Sequence, residues 1–96
     1  MLKDNTRLKL NKNLLKRFEE NLDNGVLFLF NVETNDLWTG NESAFDIIKL
    51  IDGKKTLKKI YSELLPLFEG HSYEELKQSC DTVISDLRND GFVEYV

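Results

Sequence analysis

The sequence predicts an α+β domain with a winged helix-turn-helix-like arrangement, in which a three-stranded antiparallel N-terminal sheet is followed by three helices. Three patterns support this fold class. A short apolar run at residues 26–30 follows a turn signal, two amphipathic segments within residues 43–68 flank a short turn, and a longer amphipathic segment covers residues 73–89. Strands in the first part of a chain and helices in the second are typical of α+β domains.

The size and composition favour a single domain. Of the 96 residues, 41% are hydrophobic, and no segment rich in Pro, Gly or Ser divides the chain. We assign residues 14–96 to this domain and residues 1–13 to a basic N-terminal arm that is expected to be disordered, at least in part. No apolar run approaches the roughly 20 residues of a membrane span, and residues 1–13 lack the apolar centre of a signal peptide. The expected location is the cytoplasm, without membrane attachment.

The segments before the helices predict the sheet. Residues 26–30 read VLFLF after a turn signal at residues 23–25, and such a continuous apolar run is typical of a central strand that is covered on both faces. Residues 14–22 fit the period of a helix and that of a strand equally well. The turn at residues 23–25 favours the strand, which would form a hairpin with the next one. Residues 37–39 form a third strand, and its shortness places it at a sheet edge.

The first two helices are predicted from apolar spacing and from the residues that end them. Apolar residues recur at three- and four-residue steps in residues 44–51, and Gly53 supplies the left-handed conformation that closes a helix. Thr56 can cap a second helix whose apolar face extends to Phe68. Pro66 lies inside this second pattern, so the last turn is expected to be distorted.

The third helix is the longest. Ser72 and Glu75 form the sequence signature of a capping box, the apolar stripe runs through residues 73–89, and Gly91 ends the helix. Residues 92–96 are apolar enough to add a final extended segment.

The charge distribution makes a DNA-binding winged-helix transcriptional regulator the main alternative function. The net charge is −4, yet residues 1–18 carry six basic residues and one acidic residue, and residues 54–59 carry four lysines. Such lysines could contact phosphates, although a solvated helix face explains them as well. The third helix argues against DNA, because the segment 73–90 has five acidic and two basic residues and would be repelled by phosphates. We therefore expect no nucleic-acid partner.

An enzyme is a weaker alternative. His71 is the only histidine and Cys80 the only cysteine, and Cys80 falls on the apolar stripe of the third helix, where a buried structural thiol is expected. The sequence contains no CxxC or HExxH spacing and no glycine-rich phosphate loop. We expect no catalytic residue, no metal and no cofactor.

Three segments in order carry a resemblance to a known family. They read VLFLFNVETNDLW at residues 26–38, NESAFDIIKLIDGKKTLKKIYSELLPLF at residues 41–68 and YEELKQSCDTVISDLRNDGFVEYV at residues 73–96. They match, in order, the family's hydrophobic strand, the asparagine and small residue that open a helix, and the last helix. Between the two helical matches lies the family's link, which consists of Asp-Gly, a basic residue and Thr. The chain thus resembles the PqqD-like family, whose small domains are also called RiPP recognition elements, over residues 14–96.

The resemblance implies a non-catalytic module that binds the leader of a ribosomally made precursor peptide. Such a module delivers the precursor to its modifying enzyme, a radical SAM enzyme or another RiPP maturase. In similar domains the leader adds an extended strand to the edge of the third strand and lies in the groove between that strand and the third helix. Carried onto this sequence, the edge consists of Asp36, Leu37, Trp38 and Thr39.

Peptide contacts on the third helix are expected along an apolar border that carries two cations. At about 100° per residue, Tyr73 and Ile84 lie at the edge of the apolar stripe, and Lys77 and Arg88 lie beyond it. The alternative is that Ile84 is ordinary core and that the two cations are ordinary surface. The spacing leaves open which edge of the helix faces the third strand. The same exposed strand edge could also pair two copies of the chain in a homodimer.

Overall fold

A computed structural model of the protein describes residues 3–96 and shows five strands and three α-helices in that range. The strands are β1 (Leu8–Leu10), β2 (Leu14–Glu19), β3 (Val26–Asn31), β4 (Leu37–Gly40) and β5 (Val93–Tyr95). The helices are α1 (Glu42–Leu50), α2 (Leu57–Leu64) and α3 (Tyr73–Asn89), and a 3-10 turn at Leu65–Leu67 follows α2. The predicted α+β class, with antiparallel strands and three helices, is confirmed.

The strands form two sheets where the sequence predicted one. The expected three-stranded sheet is present in the order β2-β3-β4, and β1 pairs with β5 in a second, two-stranded sheet. Every pairing is antiparallel. The segment 14–22, which fitted both periods, supplies the strand β2 and forms the expected hairpin with β3. The winged-helix likeness of the fold stays a prediction.

The hairpin between β2 and β3 is closed by a loop that needs unusual backbone angles. Asp23, Asn24 and Gly25 all have positive φ, of 41°, 65° and 111°. A Cβ atom at Gly25 would lie 2.7 Å from the ring of Phe18, so a larger residue there would displace that ring. The ring of Phe18 stacks on that of Phe45 in α1, with centroids 4.2 Å apart, and this contact ties the hairpin to the helices.

The three-stranded sheet is covered by helices on one face only, which corrects the expectation for β3. Leu27 and Leu29 point toward the helices and are fully buried, whereas Phe28 and Phe30 point the other way and are only half-buried. The continuous apolar run correctly predicted a central strand, but coverage of both faces was wrong for this chain in isolation. Residues on alternate positions of a strand face opposite sides, so the two sets have separate surroundings.

The segment expected to be a disordered arm contains β1 and contributes to the core. Leu8 is fully buried, and the β1 ladder pairs it with Tyr95. Residues before β1 extend along the start of α2, where the N–H of Leu57 donates to the carbonyl of Thr6 at 2.8 Å. The first N–H groups of a helix have no partner within it, so an extended segment that offers carbonyls is stabilised there. Residues 1 and 2 of the expected arm lie outside the described residues.

The helix ends follow the sequence signals. Asn41 and Thr56 cap α1 and α2 through their side chains, and Ser72 and Glu75 form both hydrogen bonds of the capping box on α3. Pro66 lies in the 3-10 turn, so the distortion expected at the end of α2 is confirmed. Even α3, with 17 residues, does not meet the length and hydropathy of a membrane span, and the same holds for the other helices within residues 3–96.

Candidate functional site

The strand β4 is an edge strand, and the pairing pattern shows which of its backbone groups point outward. Within residues 3–96, β4 pairs with β3 alone. The N–H of Asn31 donates to the carbonyl of Asp36 at 3.0 Å, and hydrogen-bonded pairs alternate along an antiparallel ladder. Trp38 therefore directs its backbone groups toward β3. The backbone N–H and C=O groups of Leu37 and Thr39 point away from β3, at the open edge.

Side chains of β4 alternate between the two faces of the sheet. Trp38 lies opposite Leu29 and so belongs to the face covered by helices, where it packs against the core. Leu37 and Thr39 belong to the other face, and Leu37 is 61% exposed. A Cβ atom on Gly40 would lie 2.6 Å from the Trp38 ring and 2.9 Å from the Cβ of Ala44. Gly40 is thus the residue that allows the indole to lie between β4 and the start of α1.

A groove of about 410 Å³ begins directly after β4 and separates α1 from α3. We call it the α1–α3 groove. It is lined by residues of both helices and of the connection before α3, namely Asn41, Ser43, Ala44, Ile47, Phe68, His71, Leu76, Ser79, Cys80 and Val83. No Asp, Glu, Lys or Arg occurs in this lining. The groove can therefore accept apolar or uncharged side chains at little desolvation cost.

Small residues create the space between the two helices. Ser43 and Ala44 on α1 and Ser79 and Cys80 on α3 line the groove where longer side chains would fill it. Cys80 is buried, and burial raises the pKa of its thiol to about 11, so the thiol stays protonated at neutral pH. Cys80 therefore acts as a small apolar wall, as its position on the apolar stripe predicted.

The structure places the four predicted residues of β4 together and the four predicted residues of α3 elsewhere. Asp36, Leu37, Trp38 and Thr39 lie consecutively at the open edge or directly before it. The groove side of α3 consists of Leu76, Ser79, Cys80 and Val83. Tyr73, Lys77, Ile84 and Arg88 are not among the groove-lining residues. A contact between any of these eight residues and a peptide stays a prediction.

The contacts of the predicted α3 residues are internal to the fold. The ammonium of Lys77 lies 3.1 Å from Asp81 and 3.6 Å from Asp4, which ties α3 to the N-terminal segment. Burial opposes the charge on Lys77, but the hydrogen bond and charge of Asp81, with the charge of Asp4, outweigh burial and raise the pKa of Lys77. Arg88 lies 4.3 Å over the ring of Tyr95 in β5.

The remaining two predicted α3 residues belong to the packing around α2. Ile84 is fully buried in the core, which is the alternative that the sequence had left open. Tyr73 contacts the ring of Tyr61 edge-on, with centroids 6.4 Å apart. Tyr61 is buried and donates a hydrogen bond to Asp81, and burial together with that bond raises the pKa of its hydroxyl. This side of α3 faces α2, β5 and the N-terminal segment.

Sequence reasoning missed the groove-lining residues of α1 and α3, although one signal was available. Ser43, Ala44, Ser79 and Cys80 are all small, and two helices with small residues at facing positions leave a gap or approach closely. Recognising that signal requires knowing that α1 and α3 face each other, which is a tertiary fact.

An open sheet edge beside a groove without Asp, Glu, Lys or Arg is a feature shared with domains that bind an extended peptide as an added strand. The family model for coenzyme PQQ synthesis protein D (PqqD) matches residues 27–93. The chain therefore belongs to the PqqD family, as the order of its motifs had indicated. No curated protein and no solved structure matches the chain.

Proposed function

We propose that this protein binds the leader segment of a ribosomally made precursor peptide and delivers the precursor to the enzyme that modifies it. The observation that carries the proposal is the open edge of β4 next to the α1–α3 groove. Membership of the PqqD family supports a peptide-binding accessory role in the biosynthesis of modified peptides, and it agrees with a protein that has no catalytic step of its own.

The leader binds as an additional strand along β4. Its backbone exchanges hydrogen bonds with the N–H and C=O groups of Leu37 and Thr39, which supplies affinity without regard to sequence. Every second side chain of such a strand points toward the helices, past Trp38 and into the α1–α3 groove. Since the groove lining has no Asp, Glu, Lys or Arg, apolar leader side chains fit there best.

On α3 we propose the groove side as the peptide-contacting side. Leu76, Ser79 and Val83 face the space that follows β4. Lys77 and Arg88 lie on the opposite edge and already contact other parts of the fold. A leader that reached those cations would have to leave the groove. Their expected role is therefore to fix α3 against α2 and β5.

Binding of the leader increases the local concentration of the precursor near its modifying enzyme. Holding the two together converts a bimolecular encounter into a nearly intramolecular one, with an effective concentration in the millimolar range for a short linker. A radical SAM enzyme or another RiPP maturase is the expected partner. The expected place is the cytoplasm, where precursors are made.

The test is a titration of labelled leader peptides, encoded beside this gene, into the protein and two proline variants. Leu37→Pro removes an outward N–H from β4, and we expect the leader Kd to rise at least about tenfold. Lys16→Pro is the matched control, because the same alternation places the N–H of Lys16 at the opposite edge of the same sheet. This control should leave the leader Kd unchanged.

One result would contradict the proposed site, and either of two others would contradict the proposed function. Equal leader affinity in wild type and in a folded Leu37→Pro variant would show that β4 is not the binding edge. Absence of saturable binding to any encoded leader, or tight binding to duplex DNA at physiological salt, would exclude the leader-binding function itself.

A further inference from the structure

The face of the three-stranded sheet that points away from the helices is apolar. We call it the outer face. It consists of Leu15 from β2, Val26, Phe28 and Phe30 from β3, Val32 directly after β3, and Leu37 from β4. Leu15 and Leu37 are each 61% exposed, and Val32 is 48% exposed. None of the six belongs to the buried core that residues 3–96 form, nor to the residues packed against that core.

The sequence of β3 is that of a strand covered on both faces. All five residues 26–30 are apolar, whereas a strand with one wet face normally alternates apolar and polar residues. The helices cover only the face that carries Leu27 and Leu29. The outer face therefore has the composition of a surface that contacts protein. In the isolated chain, however, it is exposed to water.

We propose that two copies of this chain pair face to face through their outer faces. The arrangement of residues across the sheet favours a second copy as the occupant. Leu15, Phe30 and Leu37 form one row, with Phe30 at the centre and a leucine on each side. A twofold axis along β3 places Leu15 of one copy opposite Leu37 of the other and brings the two Phe30 rings together. A row with the same residue on both flanks is complementary to itself, as an isologous interface requires.

The charges on and beside the outer face fit a second copy as well. Each chain carries a net charge of −4, so two copies repel each other on average, and a contact between them is favoured on a face that carries little net charge. The charged residues that point to this side from the strands are Arg17 and Glu19, which form an ion pair with each other. Both belong to β2, so the axis along β3 puts the two pairs on opposite flanks. Arg17 of one copy then lies opposite Thr39 of the other, where its guanidinium can donate to the hydroxyl.

The size of the outer face predicts a weak dimer. Three strands spaced about 4.8 Å apart and about 20 Å long present a footprint of roughly 300 Å² per copy. Because protruding side chains make the accessible surface larger than this flat footprint, two copies bury roughly 1,000 Å² of accessible surface. This area is near the lower limit for a specific interface. A dissociation constant in the micromolar range is the matching expectation.

Face-to-face pairing leaves the proposed peptide site accessible. The axis along β3 stacks β4 of one copy over β2 of the other, so the two open β4 edges lie on opposite flanks of the dimer. The α1–α3 groove lies on the far side of each sheet. Such a dimer presents two leader sites, whereas a dimer that paired through the β4 edges would block both of them.

The test is the concentration dependence of the molecular mass, measured by sedimentation equilibrium from about 1 to about 500 µM. We expect a monomer–dimer equilibrium in the wild type. Leu15→Glu should raise the dimer Kd at least about tenfold, because it places a carboxylate against a leucine of the second copy. Leu67→Glu is the matched control, since Leu67 is 63% exposed but lies in the 3-10 turn, and it should leave the Kd unchanged.

Methyl resonances provide a second readout that needs no variant. On dilution, signals of Leu15, Val32 and Leu37 should shift, while those of Leu67 stay fixed. A wild type that is monomeric over the whole range, or a dimer that Leu15→Glu leaves intact, would overturn the proposal. A monomer whose outer-face signals shift only on addition of the modifying enzyme would assign this face to the enzyme instead, and leader binding would be unaffected in either case.

Discussion

Trp38 and Gly40 show how single residues set the shape of the proposed site. The indole lies on the helix-covered face of β4, and only a residue without a side chain leaves room for it at position 40. The contact connects the open edge to the start of α1. A change at either residue therefore affects both the stability of the fold and the entrance of the groove.

We predict that Gly40→Ala destabilises the protein by about 1–3 kcal/mol through crowding of the Trp38 ring. Urea unfolding measures the cost. In a Trp38→Ala background the same change should cost less, because only the contact with Ala44 remains crowded. If the cost is the same in both backgrounds, the crowding does not involve the indole.

The open edge of β4 could be located from the sequence, whereas the side of α3 that faces the groove could not, for a geometric reason. A strand at the edge of a sheet has one open side. Once residues 36–39 are identified as that strand, the open side is known as well. A helix with a buried stripe has two borders, and the sequence of α3 makes both plausible. The border with Lys77 and Arg88 is more polar, whereas the border with Ser79 and Val83 faces the groove. Only the position of α1 beside α3 in the folded structure distinguishes the two borders.

Among the elements, the short strand β1 connects parts of the fold that lie far apart in the sequence. It has three residues, yet Leu8 is fully buried and the carbonyl of Leu8 accepts a hydrogen bond from the N–H of Gly53 at 2.9 Å. On its other side the ladder with β5 includes a bond from the N–H of Val96 to the carbonyl of Arg7. This strand thus joins the turn between α1 and α2 to the segment after α3.

We predict that Leu8→Ala lowers the free energy of unfolding by about 2–5 kcal/mol, as expected for the loss of a buried leucine. Chemical denaturation monitored by circular dichroism gives the value. Leu67→Ala is a suitable comparison because its side chain is 63% exposed, and its effect should stay within about 0.5 kcal/mol. A Leu8→Ala protein as stable as the Leu67→Ala protein would mean that β1 does not belong to the folded domain in solution.

The elements differ in how well local sequence predicts them. The three helices carry their own start signals at Asn41, Thr56 and Ser72, and each of these residues does cap its helix. The strand β1 has no such signal, because three residues cannot establish a period. Residues 92–96 did predict an extended segment, where β5 lies, but β5 is more than 80 residues away from β1 along the chain, so the pairing of the two strands could not be recognised from neighbouring residues.

On the scale of the whole molecule, the acidic groups that hold turns and caps make stability depend on pH. Backbone N–H groups of Lys55 and Lys54 lower the pKa of Asp52, and hydrogen bonds with Ser72 lower that of Glu75. A carboxyl whose pKa is depressed by folding stabilises the protein above its ordinary value, and the contribution disappears as the pH falls below it. The ordinary values are 3.8 for Asp52 and 4.5 for Glu75.

We therefore predict that the free energy of unfolding decreases as the pH falls from about 5 to about 3, and that Asp52→Asn with Glu75→Gln reduces this dependence. Urea unfolding at several pH values tests it. Leu67→Ala serves as the control because it removes no carboxyl group, and the slope should stay as in the wild type. An unchanged slope in the double variant would show that these two groups do not control acid sensitivity.

The two sheets of the molecule are built from contacts of very different range. Hairpin contacts in β2-β3-β4 join close neighbours in the sequence, whereas the ladder between β1 and β5 joins Leu8 to Tyr95. Closing so long a loop costs more chain entropy than closing a hairpin, and this cost comes before the contacts of the ladder form. Long-range ladders therefore slow folding. The β1–β5 ladder is therefore expected to form late, after the three-stranded sheet and the helices have assembled. The open edge of β4 therefore lies in the part of the fold whose strand pairing does not require the two distant segments of the chain to meet first.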